Sequence, residues 1–526
     1  MSPQARSASP AWPFSRVLIA NRGEIAVRLV RACRELGLES VAVYSDADAG
    51  APHVRAADQA IRLGPTPPTE SYLRADRIVA AALATGAQAV HPGYGFLAEQ
   101  AAFAEACLAA GLVFVGPGPA TLAGLGDKLA ARRAARDAGV PVVPGTLEPA
   151  RFDRAAARAH MAAVADDVGW PLLVKAAAGG GGRGMRRVDH RAELQAALAS
   201  AAHEAEAAFG DGSLYLERFV QDGRHIEVQL LGDAHGTVVA LGERDCSAQR
   251  RHQKLLEEAP APGLSPAERK HLGELAVRVA RAVGLQGAAT CEFLRGPDGA
   301  VWFLEVNVRL QVEHGVTELV TGLDLVHEQF RIAAGEPLSR RVLAAAARAA
   351  SPERHAIEMR ISAEDPAADF SPQPGRVTHW REPAGPGVRV DGWVGEGTVV
   401  SEAYDPLLAK ILVVAEDRPA ALARAARALD ETEIGGLQTT LPFHRWLVRE
   451  PAFRAGGIST EFVAHAWDGA VQRETATTVA LLAALAADGT LLGANGSPEA
   501  APAADLPVTT EWAAAGRREA LEAWPR

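Results

Sequence analysis

The sequence predicts a mixed α/β and α+β chain, and three patterns carry that prediction. Short apolar runs alternate with amphipathic helical stretches through residues 14–126. A glycine run follows an apolar strand near Lys175. From about Tyr215 the strands alternate polar and apolar residues at period two.

The first unit, 14–126, opens with the apolar run Val17-Leu18-Ile19-Ala20. Ile25, Leu29, Cys33 and Leu36 then share a helical face, and Gly37 stops that helix. Val41-Ala42-Val43-Tyr44, Ala87-Gln88-Ala89-Val90 and Leu112-Val113-Phe114-Val115 read as further strands. Strands alternating with helices make a doubly wound parallel sheet, with loops at the strand C-ends available for ligands. No G-x-G-x-x-G follows the first strand, which argues against a nicotinamide enzyme.

The second unit, 127–335, begins with a helix over 127–138, ended by Gly139 and the proline-marked Pro141-Val142-Val143-Pro144-Gly145. Residues 143–216 hold the strand Leu172-Leu173-Val174-Lys175 and the glycine run 179–184, and are expected to form a mobile lid. His225-Ile226-Glu227-Val228-Gln229-Leu230 alternates as a half-buried strand does. An Ala/Arg-rich stretch over 342–350 is expected to link to a β-rich third unit, 351–465. The tail 466–526 reads as helical over 477–487, flexible over 496–507 and helical again over 510–524.

Composition narrows the function. A net charge of −10 and a pI near 5.9 argue against a nucleic-acid partner. No apolar run reaches the ~18 residues of a membrane span. The first 16 residues carry two arginines, four serines and three prolines, without the apolar centre of a secretory signal. They are read as a disordered extension. Four cysteines at no metal-ligand spacing suit a reducing compartment, so the cytoplasm is expected. Of 54 cationic side chains only five are lysine, at 128, 175, 254, 270 and 410. A sequence that uses arginine wherever any cation serves keeps lysine where a compact ammonium is required.

Four groups of residues carry chemistry. The glycine run suits close approach of backbone N–H groups to phosphate, and no Gly-Lys-Ser/Thr follows it, so it is not a Walker loop. Glu292 lies in one strand, and Glu305 and Asn307 in the next, with Gly-Pro-Asp-Gly turning between them. Two carboxylates and an amide on one hairpin face make a hard-oxygen site for Mg²⁺. Arg309, Gln311 and Glu313 alternate as if projecting from one side of a strand. An arginine fork suits a carboxylate-like anion, and a glutamate suits removal of its proton. The dense polar run from Glu243 to Lys254 ends in one of the scarce lysines.

Ile19-Ala20-Asn21-Arg22-Gly23-Glu24-Ile25-Ala26, His91-Pro92-Gly93-Tyr94-Gly95-Phe96-Leu97, Glu243-Arg244-Asp245-Cys246-Ser247 through Lys254, and Arg309-Leu310-Gln311-Val312-Glu313-His314 together resemble the biotin carboxylases. The resemblance spans about 14–465. It implies a Rossmann-like pre-ATP-grasp domain, an ATP-grasp domain with a glycine-rich lid, a β-rich C-terminal domain and a short helical tail. It implies ATP- and bicarbonate-dependent carboxylation of biotin, with Mg²⁺ or Mn²⁺. Lys128, Lys175, Gly180, Gly181, Gly182, Met185, Glu217, Arg218, Val220, His225, Gln249, His252 and Leu294 would bind nucleotide, and Glu292, Glu305 and Asn307 the metal. Arg309, Gln311 and Val312 would hold bicarbonate, Glu313 would be its base, and Lys254 would hold carboxyphosphate. Arg360 would stabilise the biotin enolate, with Tyr94 near biotin.

The sequence departs from the family pattern at Ala178, Val306, Val308, Gly315 (where proline is usual) and Gly436-Leu437-Gln438-Thr439-Thr440. None of the four methionines adjoins a lysine, so the Ala-Met-Lys-Met of a biotinyl domain is lacking. A separate biotin carboxyl carrier protein and a separate carboxyltransferase are therefore expected, and the resemblance implies a homodimer. Two other readings stand beside this one: another ATP-grasp ligase acting on an amine, and a nucleotide-binding regulatory protein without catalysis.

Overall fold

The computed structural model describes residues 12–151, 155–177 and 185–487. The chain divides into a unit ending at Gly469 and a second unit beginning at Ala470.

The first strands form a five-stranded parallel sheet in the order β3-β2-β1-β4-β5. They are β1 (Arg16–Ile19), β2 (Glu39–Ser45), β3 (Gln59–Gly64), β4 (Ala89–His91) and β5 (Val113–Phe114). Helix α1 (Gly23–Leu36) buries Ile25, Leu29 and Cys33, and Gly37 ends it in the left-handed conformation at φ 72°. The doubly wound reading of this segment is borne out, with β3 added at an edge.

Helix α2 (Lys128–Asp137) starts where the sequence pattern places it. The Asp127 side chain caps it by accepting from the N–H groups of Leu129 and Ala130. A small antiparallel sheet follows, β7-β6-β8, from β6 (Leu172–Ala176), β7 (Arg186–Val188) and β8 (Leu214–Arg218). It has its own core around Leu172, Val174, Leu198 and Leu216. The expected phosphate glycines Gly180, Gly181 and Gly182 lie outside the described residues.

The centre is an eight-stranded antiparallel sheet. Its strands are β9 (Arg224–Gly232), β10 (Val238–Arg250), β11 (Gln253–Ala259), β12 (Gly287–Arg295), β13 (Val301–Asn307), β14 (His355–Ser362), β15 (Val388–Gly392) and β16 (Leu407–Ala415). Their order is β13-β12-β9-β10-β11-β14-β16-β15. One sheet therefore runs without a break from the middle of the chain into its C-terminal part. Helix α3 (His314–Thr321) packs against it. The Ala/Arg-rich stretch expected to be a linker is instead helix α4 (Arg340–Arg348), capped by Ser339 and burying Val342 and Ala345. Beyond Gly469, residues Ala470–Ala487 form helix α5, which carries exposed Val471, Val479, Leu481 and Leu482.

A charged floor on the central sheet

The site is built on one face of the central sheet. Across four neighbouring strands the register sets Arg244 beside Glu227, Glu227 beside Glu292, and Glu292 beside Glu305. The next row sets Gln229 beside Thr290, and Thr290 beside Asn307. Directly opposed residues share a face, so these side chains form a polar floor. The other face of β9 carries Ile226, Val228 and Leu230 in the hydrophobic core. The period-two pattern of β9 thus separates core from site. It does not separate core from solvent, because His225, Glu227 and Gln229 are all buried.

Glu292 is a hub of this floor. Its Oε1 accepts from Asn307 Nδ2 at 2.7 Å, Gln311 Nε2 at 3.0 Å and Lys254 Nζ at 3.1 Å, and its Oε2 lies 2.9 Å from His225 Nε2. Burial alone would raise its pKa, but Lys254 and His225 outweigh that and hold the carboxylate ionised. Lys254 in turn reaches Glu227 at 2.5 Å and Glu313 at 2.6 Å. Burial would lower its pKa, yet the charges of Glu227, Glu292 and Glu313 keep it protonated well above the ordinary range.

Glu313 marks a departure from the expected strand. Strand β13 ends at Asn307, and Glu313 sits at the N-cap of α3. Arg309, Gln311 and Glu313 still converge. Arg309 donates to Asn307 Oδ1 at 3.1 Å, Gln311 meets Glu292, and the Glu313 oxygens meet Lys254 and Arg360, the latter at 2.8 Å. Against the desolvation of burial, Lys254, Arg360 and Arg244 hold the Glu313 carboxyl well below the usual range. Gly315 is the second residue of α3. Here a Cβ would overlap Leu412 Cδ2, so Leu412 occupies that space.

The remaining expected residues surround this centre. Lys175 and Arg132 both pair with Glu217, and Lys128 pairs with Glu305 at 3.3 Å. Burial and the nearby Lys175 charge press the His252 pKa down, which favours a neutral ring. Gln249 Nε2 lies 3.4 Å from His225 Nδ1, and Leu294 is paired in register with His225. A Cβ added at Gly223 would touch both Leu294 and the Val220 carbonyl, which puts those two residues together. Met185 is half-buried just before β7. The exposed Arg218 side chain lies against Gly169, away from the ion-pair network, while its backbone N–H donates to the Pro144 carbonyl at 2.8 Å. The Val312 carbonyl accepts from Lys410 at 2.7 Å. Tyr94 donates from its hydroxyl to Glu24.

Several residues here escape the sequence reading. Arg244 is wholly buried. It pairs with Glu227 and donates to Gln229 at 2.8 Å, Thr317 at 2.9 Å, Thr290 at 3.0 Å and Gln311 at 3.1 Å. Glu99 pairs with Arg309 at 3.0 Å, and Glu257 pairs with Arg360. Lys410 is fully buried and lies 3.1 Å from Glu24. A signal for it exists, since it is one of the five lysines. Lys270 is the exception among them, exposed and 3.9 Å from Glu274.

The donor set of Glu292, Glu305 and Asn307 fits a hard divalent cation. Two carboxylates oppose each other across the hairpin, an amide adjoins them, and each carboxylate now pairs with a lysine, Glu305 with Lys128 and Glu292 with Lys254, whose charge a metal ion would replace.

A parallel α/β unit, a small antiparallel sheet and a charged antiparallel floor are the parts of an ATP-grasp ligase. The family description "Biotin carboxylase, N-terminal domain" matches residues 13–122. "Carbamoyl-phosphate synthase L chain, ATP binding domain" matches 127–341, and "Biotin carboxylase C-terminal domain" matches 358–465. The chain is 48% identical over 450 residues to the biotin carboxylase of Pseudomonas aeruginosa, covering 86% of this chain and 98% of that one. It is 46% identical over 450 residues to the biotin carboxylase of a Nostoc species, covering 86% and 98%. Among solved structures, the Campylobacter jejuni biotin carboxylase β,γ-ATP complex superposes with a TM-score of 0.81 at 42% identity, over 86% of this chain and 98% of that one. The biotin carboxylase domain dimer of Hydrogenobacter thermophilus 2-oxoglutarate carboxylase, in complex with MgADP, ADP and bicarbonate, gives 0.81 at 42%, over 86% and 97%. The chain belongs to the biotin carboxylase family.

Proposed function

We propose that this chain uses ATP and bicarbonate to carboxylate biotin on a separate carrier protein, by way of carboxyphosphate, as the first half-reaction of a biotin-dependent carboxylase. The observation that carries this reading is Glu313, an ionised carboxylate held between Lys254 at 2.6 Å and Arg360 at 2.8 Å, beside the Arg309–Gln311 anion pocket.

In this scheme Arg309, Gln311 and the Val312 backbone orient bicarbonate, and Glu313 takes its proton. The resulting oxyanion attacks the γ-phosphorus and ADP leaves, with Lys128, Lys175 and Lys254 neutralising charge on the transferred group. Glu292, Glu305 and Asn307 would hold a divalent cation, whose charge would offset that of the phosphates. Carboxyphosphate splits into CO₂ and phosphate, the phosphate takes the biotin N–H proton, and the biotin nitrogen attacks CO₂. Arg360 stabilises the negative charge on the ureido oxygen, and Tyr94, kept protonated by burial and the Glu24 charge, lies alongside. His252 flanks the phosphate end. Glu217, Val220, His225, Gln249, Leu294 and the Arg218 backbone line the nucleotide, with Met185 at the edge of the lid.

The partners proposed are a biotin carboxyl carrier, a carboxyltransferase and a second copy of this chain. The dimeric Hydrogenobacter relative supports the last of these. Four buried, free cysteines are consistent with the cytoplasm. The test is ATP cleavage by the purified chain with bicarbonate, with and without free biotin. Biotin-stimulated, bicarbonate-dependent cleavage is expected. Cleavage that requires an amine and ignores biotin overturns the proposal.

A further inference from the structure

Arg360 does not rest on Glu313 alone. Its guanidinium also meets Glu257, which is fully enclosed. Glu257 on β11 stands directly opposite Glu358 on β14, and Glu358 is two residues from Arg360, on the same strand face. Both carboxyl oxygens of Glu358 are buried without a hydrogen-bond partner, as is Arg360 Nε.

Two carboxylates facing each other in a dry interior raise one another's pKa, and where only one of them has a cation paired to it the couple retains a proton. All four carboxyl oxygens of the pair are buried without a hydrogen-bond partner, and Glu257 differs from Glu358 in its ion pair to Arg360, which leaves the proton on Glu358. The groups facing Glu358 are Lys410 from β16, Glu257 from β11, Glu313 from the segment before α3 and Arg360 on its own strand. Lys410 is already engaged by Glu24 and the Val312 carbonyl. His314, at the start of α3, is pressed by burial to a pKa of about 3 and is neutral. Burial pushes Glu358 well above the usual carboxylate range. It pushes Glu257 to about 7, against the pull of Arg360.

This pairing matters because Glu313 changes charge during the reaction. Once Glu313 carries the bicarbonate proton, its charge-assisted hold on Arg360 is lost. We propose that Glu257 and Glu358 form a one-proton carboxyl pair whose single negative charge anchors Arg360 while Glu313 is neutral. Glu257 is then a positioning residue for the biotin half of the reaction, an inference that rests on the roles proposed above for Arg360 and Glu313.

The test uses the full chain and two rates, measured from about pH 6 to about pH 10. One is bicarbonate-dependent ATP cleavage without biotin, and the other is carboxylation of free biotin. Glu257→Gln is expected to lower carboxylation ~10-fold or more relative to ATP cleavage, and Glu257→Asp to recover part of that ratio. Glu358→Gln is expected to move the alkaline limb of the carboxylation profile up by about one pH unit or more, since an amide has no such proton to lose. The proposal is overturned if Glu257→Gln leaves both rates at the wild-type level. It is equally overturned if both rates fall by the same factor alongside Tm, because the role is then only structural. Wild-type protein that never carboxylates biotin refutes the proposed function instead, so the two failures are distinguishable.

Discussion

Replacing Glu313 with glutamine tests the centre of the site most directly. Glu313 accepts from Lys254 through Oε1 at 2.6 Å and from Arg360 through Oε2 at 2.8 Å. A glutamine amide accepts at one position only, so one charge-assisted bond is lost, worth about 1.5–3 kcal/mol. Neither cation is orphaned. Lys254 keeps Glu227 at 2.5 Å and Glu292 at 3.1 Å, and Arg360 keeps Glu257. The fold should therefore survive with a stability loss of that order and with MgADP affinity little changed. Turnover should fall about 10²- to 10⁴-fold, the usual contribution of a general base, which corresponds to roughly 3–5 kcal/mol of barrier. The assay is bicarbonate-dependent ADP release beside calorimetric MgADP titration. Turnover within about threefold of wild type would show that the bicarbonate proton leaves by another route.

Lys254→Arg should also inactivate. A planar fork cannot occupy the point where one ammonium meets three carboxylates, and wild-type kcat in that variant would refute the three-acid junction as the reason lysine is kept. Glu318 lies between Arg28 at 3.0 Å and Arg389 at 2.7 Å, and its pKa is lowered from 4.5 to about 2. Burial opposes that shift and the arginines outweigh it. A depressed folded-state pKa contributes stability above about 4.5 that disappears as pH falls toward about 2. At neutral pH it is worth about 3 kcal/mol, so the wild type should lose more stability than Glu318→Gln between about pH 5 and 3 in urea titrations. Equal pH dependence would remove that contribution. Gly315→Ala should destabilise by about 1–3 kcal/mol through its clash with Leu412, and Leu412→Ala should relieve part of that loss in a double-mutant cycle. Additivity of the two would contradict the contact. Glu305→Gln should raise the Mg²⁺ concentration for half-maximal rate by ~10-fold or more, and an unchanged Mg²⁺ requirement would take Glu305 out of the metal set.

Much of the site is legible in the sequence, for identifiable reasons. The β12–β13 hairpin announces itself through alternation and a Gly-Pro-Asp-Gly turn, and that alone sets Glu292 opposite Glu305. Scarcity of lysine points to Lys128, Lys175 and Lys254, each of which meets a carboxylate in the structure. The same signal marks Lys410, but nothing close to it in sequence explains why. Its partners Glu24 and Val312 come from elsewhere in the chain. Arg244 is hidden for the same reason, since Gln229, Thr290, Gln311 and Thr317 meet it only through sheet pairing and packing. Period-two alternation misleads twice. It casts β9 as half solvated, although its polar face is roofed by the site. It also casts Arg309 to Glu313 as a strand, although the structure makes this segment a bend and turn leading into α3.

The unbroken central sheet has a consequence for how the two halves of the chemistry stay in step. Lys254 rides on β11 and Arg360 on β14, and these strands are hydrogen-bonded neighbours. The ladder between them pairs Leu256–Ala259 with Ala356–Met359, and just beyond it the Lys254 ammonium and the Arg360 guanidinium meet at Glu313, at 2.6 Å and 2.8 Å. A slip of one residue between these two strands would turn Arg360 to the opposite face, so the ladder between them keeps the two chemical steps aligned.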